Sequence, residues 1–111
     1  MATATFVHDG EVIDYTPTVD VPAGMVVLQG DLVAVAKTPI AANTLGSLAV
    51  EGVFDFPKAT GAGKAIAPGA TCYWDDGNGR AATTAGGNKL IGKCVKAAGD
   101  NDPTVRIRLD Q

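Results

Sequence analysis

Residues 67–84, APGATCYWDDGNGRAATT, decide how the rest of the chain is read. Pro68-Gly69 has the backbone preferences of a tight turn, and Cys72-Tyr73-Trp74 those of a short strand. Asp75-Asp76-Gly77-Asn78-Gly79 is a reversal whose glycines and asparagine accept positive φ, and residues 80–84 return as a second strand. Trp74 is the only tryptophan and the largest apolar side chain of the sequence. Burying it on one face of this hairpin makes it the expected centre of the core.

The same alternation of short apolar runs and turns continues on both sides. Upstream, Met25 to Leu28 and Leu32 to Ala36 are apolar runs of strand length separated by a reversal at Gly30-Asp31, which predicts a buried hairpin. Residues 38–47 read as a loop or a single helical turn. Residues 48–56, LAVEGVFDF, alternate, so that Leu48, Val50, Gly52, Phe54 and Phe56 share one side; Pro57 ends that strand and residues 58–64 follow as a flexible loop. Downstream, residues 89–98 predict a strand with Ile91, Val95 and Ala97 on one face. GDNDP is a turn, and TVRIRL places Val105, Ile107 and Leu109 inward.

Composition agrees with this pattern. The 111 residues suit one domain, and folding at this length buries about two thirds of the surface of the unfolded chain. Hydrophobic residues make up 46%, largely Ala and Val, while 14 glycines and 6 prolines are spread along the chain, favouring many short strands over long helices. The reading is an all-β, small single-domain β barrel or sandwich of about seven to nine short strands with an extended N-terminal arm. A closed barrel is preferred because it leaves fewer exposed edges. Phe54, Phe56, Trp74 and Ile107 are its core anchors.

Residues 1–22 read as an N-terminal arm or an edge strand, and residues 23–111 as the β domain. In the first segment Phe6, Val7, Val12, Ile13 and Tyr15 are interleaved with threonines, but Asp9-Gly10 and Pro17 interrupt any long strand. Such a segment orders against a partner or a neighbouring subunit.

Charge and motifs narrow the function. The net charge of −3 and scattered cations argue against a nucleic-acid surface. No apolar run reaches the ~20 residues of a membrane helix, and the N-terminus lacks the features of a signal peptide, so a cytoplasmic product and no membrane partner are expected. Gly61-Ala62-Gly63-Lys64 resembles the end of a phosphate loop, but Lys58 stands where the first glycine belongs and Ala65 where Ser or Thr belongs. Asp75, Asp76 and Asn78 lack the spacing and terminal glutamate of a calcium loop. His8 is the only histidine, so neither a metal shell nor a Ser-His-Asp or Cys-His arrangement assembles around it. Cys72 and Cys94 do not make a zinc or redox motif; they are read as buried thiols, with a disulfide between them the alternative. No catalytic residue, cofactor site or metal site is assigned, and an enzyme is disfavoured.

The succession VPAGMVVLQGDLVAVA, EGVFDFPKATG, APGATCYWDDGNG, IGKCVKAA and VRIRL resembles a family of phage and prophage proteins described as capsid decoration or head-stabilising proteins. The resemblance runs from about Phe6 to Leu109. Its most specific parts are Glu51-Gly52-Val53-Phe54 with Pro57-Lys58-Ala59, and Tyr73-Trp74-Asp75. Where such proteins often place GVA at the end of the second apolar strand, this chain has Ala34-Val35-Ala36. The resemblance implies a homotrimer on the outer surface of the virion head, clamping the major capsid protein of the same phage, with Phe6, Val7, Val12, Ile13 and Tyr15 as capsid-contact candidates. A virion-displayed module recognising a host-surface glycan or protein, through Tyr15 or Tyr73 and the loop 75–80, is the alternative.

Overall fold

The computed structural model describes residues 3–111. Among them the chain forms nine strands and no helix: β1 (Val12–Tyr15), β2 (Val26–Gln29), β3 (Leu32–Val35), β4 (Gly46–Ala49), β5 (Gly52–Pro57), β6 (Thr71–Asp75), β7 (Arg80–Ala82), β8 (Lys89–Lys96) and β9 (Thr104–Leu109). They make two antiparallel sheets, ordered β1-β4-β3-β2 and β5-β9-β8-β6-β7. The second sheet curls until its outer strands meet, with Lys58 bridging Ala81 in parallel sense. The barrel tendency is thus confined to five strands, and the other four form a separate sheet laid on it through β3 and β8.

This arrangement explains why β3 is apolar throughout. Val33 and Val35 enter the cluster that fills the curled sheet, with Phe56, Ile66, Cys72, Trp74, Ile91, Val105, Ile107 and Leu109. Ala34 and Ala36 point the other way, into a smaller cluster with Val21, Val27, Ile40 and Leu48. A strand buried on both faces loses the polar half of the alternating pattern.

Residues 48–56 do not form one strand. Leu48 and Ala49 end β4 in one sheet, and Gly52, at φ 133°, opens β5 in the other. That backbone angle breaks the pleat between the two halves, and an L side chain would be strained there. Phe54 and Phe56 still share a side, with ring centroids 6.3 Å apart. The first hairpin turns at Gly30, in the left-handed region at φ 58°. Pro68-Gly69 is a closed turn, Ala70 N donating to Ala67 O at 3.1 Å.

Three other local expectations are corrected. The strand after the 76–79 reversal stops at Ala82 instead of continuing to Thr84. In β8 Val95 is exposed while Ile91 and Cys94 are buried, because register shifts opposite Cys72/Tyr73 and at Cys94/Lys96 interrupt its alternation. Residues 58–64 are not a free loop at their start: Lys58 is buried, and its Nζ donates to the carbonyls of Ala59 (2.8 Å), Asp100 (3.3 Å) and Asp102 (3.1 Å).

Candidate functional site

The segment before Val26 is partly integrated into the domain. β1 is the edge of the four-stranded sheet, and Val21 bridges Ile40. Ile13 and Tyr15 are half-buried against the smaller cluster, whereas Phe6 and Val7 are each 81% exposed and Val12 is 39% exposed. The five residues therefore divide into two packed side chains and three outward ones. Residues 1 and 2, which the arm also includes, lie outside the described residues.

The open side of β1 has a defined chemistry. Val50 N donates to Glu11 O at 3.0 Å, and the register pairs Val12 with Ala49, Ile13 with Leu48 and Tyr15 with Gly46. Hydrogen-bonded and non-bonded pairs alternate along an antiparallel ladder, so Ile13 and Tyr15 bond inward to β4. Val12 and Asp14 then turn their backbone N–H and C=O groups to the free edge. This is a short template for an added strand.

The core side chains stand apart from that edge. Phe56, Trp74 and Ile107 are buried together, with Phe54 half-buried against them. The Phe56 and Trp74 rings lie 6.1 Å apart, and Trp74 Nε1 donates to Asp76 Oδ1 at 3.1 Å. Asp75 accepts from Asn78 N at 3.3 Å and Asn78 Nδ2 at 2.7 Å, which holds its carboxyl below the usual range. The oxygens that resembled a calcium loop are thus used inside the turn, and the same bonds tie up the loop of a glycan-recognising alternative.

The lookalike phosphate loop meets a similar fate. Lys64 N and Ala65 N donate to Asp100 Oδ1 at 3.0 and 2.8 Å, so the chain's own carboxylate occupies the amides an anion would need. Cys72 and Cys94 are both buried free thiols, each directed to a nearby backbone carbonyl, and the disulfide alternative falls. No group of three or more His, Cys, Asp or Glu able to hold a metal exists among the described residues.

The cations are less scattered in space than along the chain. Lys93 and Arg108 are direct partners across β8 and β9, and so are Lys96 and Arg106. All four side chains are exposed: Lys93 and Arg108 lie beside Tyr73, Leu90 and Val95, and Lys96 and Arg106 beside Asp55 and Asp102. The signal available in the sequence was polarity: residues 1–36 contain Asp9, Glu11, Asp14, Asp20 and Asp31 but neither Lys nor Arg. All nine cations follow. Which of them would meet depended on the strand register.

Comparison with known proteins gives one result. A family model described as phage cement protein matches residues 7–109. No curated protein and no solved structure matches the chain.

Proposed function

Because the chain belongs to the phage cement protein family, whose role is structural and capsid-associated, we propose that it binds the outside of the head and stabilises contacts between neighbouring major capsid subunits. In this reading the protein is made in the host cytoplasm, assembles as a homotrimer and clamps the shell against internal DNA pressure. Each contact can be weak, since a trimer engaging several subunits makes its second and third contacts intramolecular. In this reading the function is mechanical, in keeping with the structural family.

The observation supporting the mode of attachment is the open edge of β1, where Val12 and Asp14 present backbone groups outside the β1–β4 ladder, downstream in the chain of the exposed Phe6 and Val7. A capsid strand added there would gain main-chain hydrogen bonds, with Val12 supplying apolar contact and the packed Ile13 and Tyr15 holding the edge rigid.

The test is co-sedimentation with expanded heads that lack the protein. Wild-type chain should bind saturably at a fixed ratio to capsid subunits. Val12→Pro removes an outward N–H and blocks strand addition without breaking a bond to β4, so it should fold and fail to bind. Binding by that variant equal to wild type would sink the edge mechanism. No binding by the wild type would sink the capsid reading itself.

A further inference from the structure

We propose that the cationic outer face of β8 and β9 receives residues 5–11 of a second copy of this chain. The inference rests on the oligomeric part of the reading above and names the surfaces that would meet.

Two like-charged pairs stand directly opposite each other on this face, Lys93 with Arg108 and Lys96 with Arg106. Like charges in that position destabilise a sheet. Arg106 is compensated by Asp55, at 2.9 and 3.2 Å, and Arg108 more loosely by Asp110, at 3.4 Å. Lys93 Nζ contacts only the Thr71 hydroxyl, and Lys96 has no ion pair among the described residues. The face therefore keeps excess positive charge on a protein whose total is −3. It also carries apolar surface, with Leu90 40% and Val95 46% exposed beside Tyr73.

The occupant should be extended, apolar at one end and acidic at the other. Residues 5–11, TFVHDGE, have that order; all are exposed, no strand precedes Val12 among the described residues, and only Glu11 O is bonded to the rest of the domain, by Val50 N. In an extended segment Val7, Asp9 and Glu11 share one side at intervals of about 7 Å. The face repeats at the same interval: Tyr73 pairs with Leu90, Thr71 with Lys93, and Arg108 is two residues from Arg106 on β9. Val7 then falls on Tyr73 and Leu90, Asp9 between Lys93 and Arg108, and Glu11 beside Lys96 and Arg106. Phe6 is left on the outer side of the docked segment, free for the capsid.

Sedimentation velocity of the full chain across concentration tests this. Wild type should self-associate reversibly, more weakly at high salt. Asp9→Lys, and the pair Lys93→Glu with Arg108→Glu, should each raise the dissociation constant by about tenfold or more. Mixing the two variants one to one should restore association, because each then meets a complementary charge. Unchanged emission from Trp74 would show that both fold. A monomer at every concentration, variants that associate like wild type, or a mixture that stays apart would overturn the proposal. So would a monomeric chain whose face binds a short DNA duplex instead. Head co-sedimentation of the same wild-type sample separates the two readings: a monomer that still binds heads refutes the arm exchange and the free homotrimer but leaves the capsid role, and a self-associating chain that ignores heads refutes the capsid role alone.

Discussion

The side-chain carboxamide of Gln111 pairs with the backbone of Val33 in both directions, Oε1 accepting from Val33 N at 2.8 Å and Nε2 donating to Val33 O at 2.7 Å. β4 pairs with β3 only at Val35, so beyond it the carboxamide supplies the peptide group of a strand that is not there. Val33 is fully buried, and its backbone groups would otherwise lack partners. The pair also ties the end of β9 in one sheet to β3 in the other. Gln111→Ala should cost about 1–2 kcal/mol, the net worth of two such hydrogen bonds. Gln111→Glu keeps the shape but removes the donor and should cost at least as much at neutral pH. Thermal melts check both, and a melting temperature unchanged in Gln111→Glu would show the pairing to be idle.

Lys58 makes a stronger prediction because it is a buried cation held only by carbonyls. Its three contacts fasten the start of the 58–66 segment to the turn that precedes β9. Lys58→Met fills similar space but strands three carbonyls, and should destabilise by about 3 kcal/mol. Lys64→Met, at an exposed site whose backbone alone is bonded, should change little. Denaturant midpoints of the two variants should therefore differ widely, and equal midpoints would refute this role.

Gly92 is required by the approach of β9. A Cβ there would overlap the carbonyl of Arg108, and the backbone sits at φ 156°. Gly92→Ala must separate two paired strands of the curled sheet, so loss of soluble folded protein or a destabilisation above about 3 kcal/mol is expected. Gly10→Ala, where added bulk meets nothing, is the matching control. Circular dichroism of both would decide, and a stable Gly92→Ala would mean that the strands can part cheaply.

These residues also show what a sequence can disclose. The β2–β3 hairpin and β9 follow from local pattern: Gly30 sets the turn, and Val105, Ile107 and Leu109 alternate with outward Thr104, Arg106 and Arg108. Features that depend on long-range pairing were not legible. Gly52 looked like one small residue in an alternating strand until its φ value separated two sheets. Lys58 read as the start of a flexible loop because nothing local reveals that carbonyls of residues 100 and 102 would surround it. The proposed binding surfaces divided the same way: the apolar, interrupted N-terminal segment was visible, but the facing cations of β8 and β9 emerged only from the register.

Acid should weaken the fold through a few identifiable carboxylates. The Arg106 guanidinium holds the Asp55 carboxyl below its ordinary range, Lys89 does so for Asp31, and Asn78 for Asp75. A depressed carboxyl binds protons more tightly in the unfolded chain, so its stabilisation is present above the unfolded pKa of about 3.9 and is lost as pH falls through the folded value. Melting temperature should thus hold at mildly acidic pH and drop below about pH 4. Because all three groups are exposed, solvent and salt keep the effect small. Asp55→Asn, which removes the titrating partner of Arg106, should flatten the drop. A profile as steep in that variant as in wild type would assign the acid response elsewhere.

The two cysteines should be silent in the native protein for a reason other than pairing. Cys72 is fully buried, and desolvation, aided by the neighbouring Cys94, pushes its thiol up to about 11. At neutral pH almost no thiolate forms, and no reagent reaches the sulfur without opening the sheet. A thiol-reactive probe should therefore leave both cysteines unmodified in the folded chain and label both once denaturant unfolds it, with no reductant needed. Labelling under denaturant that required prior reduction would reveal a disulfide. Rapid native labelling of Cys72 would instead show that β6 and β8 open far more often than their place in the core allows.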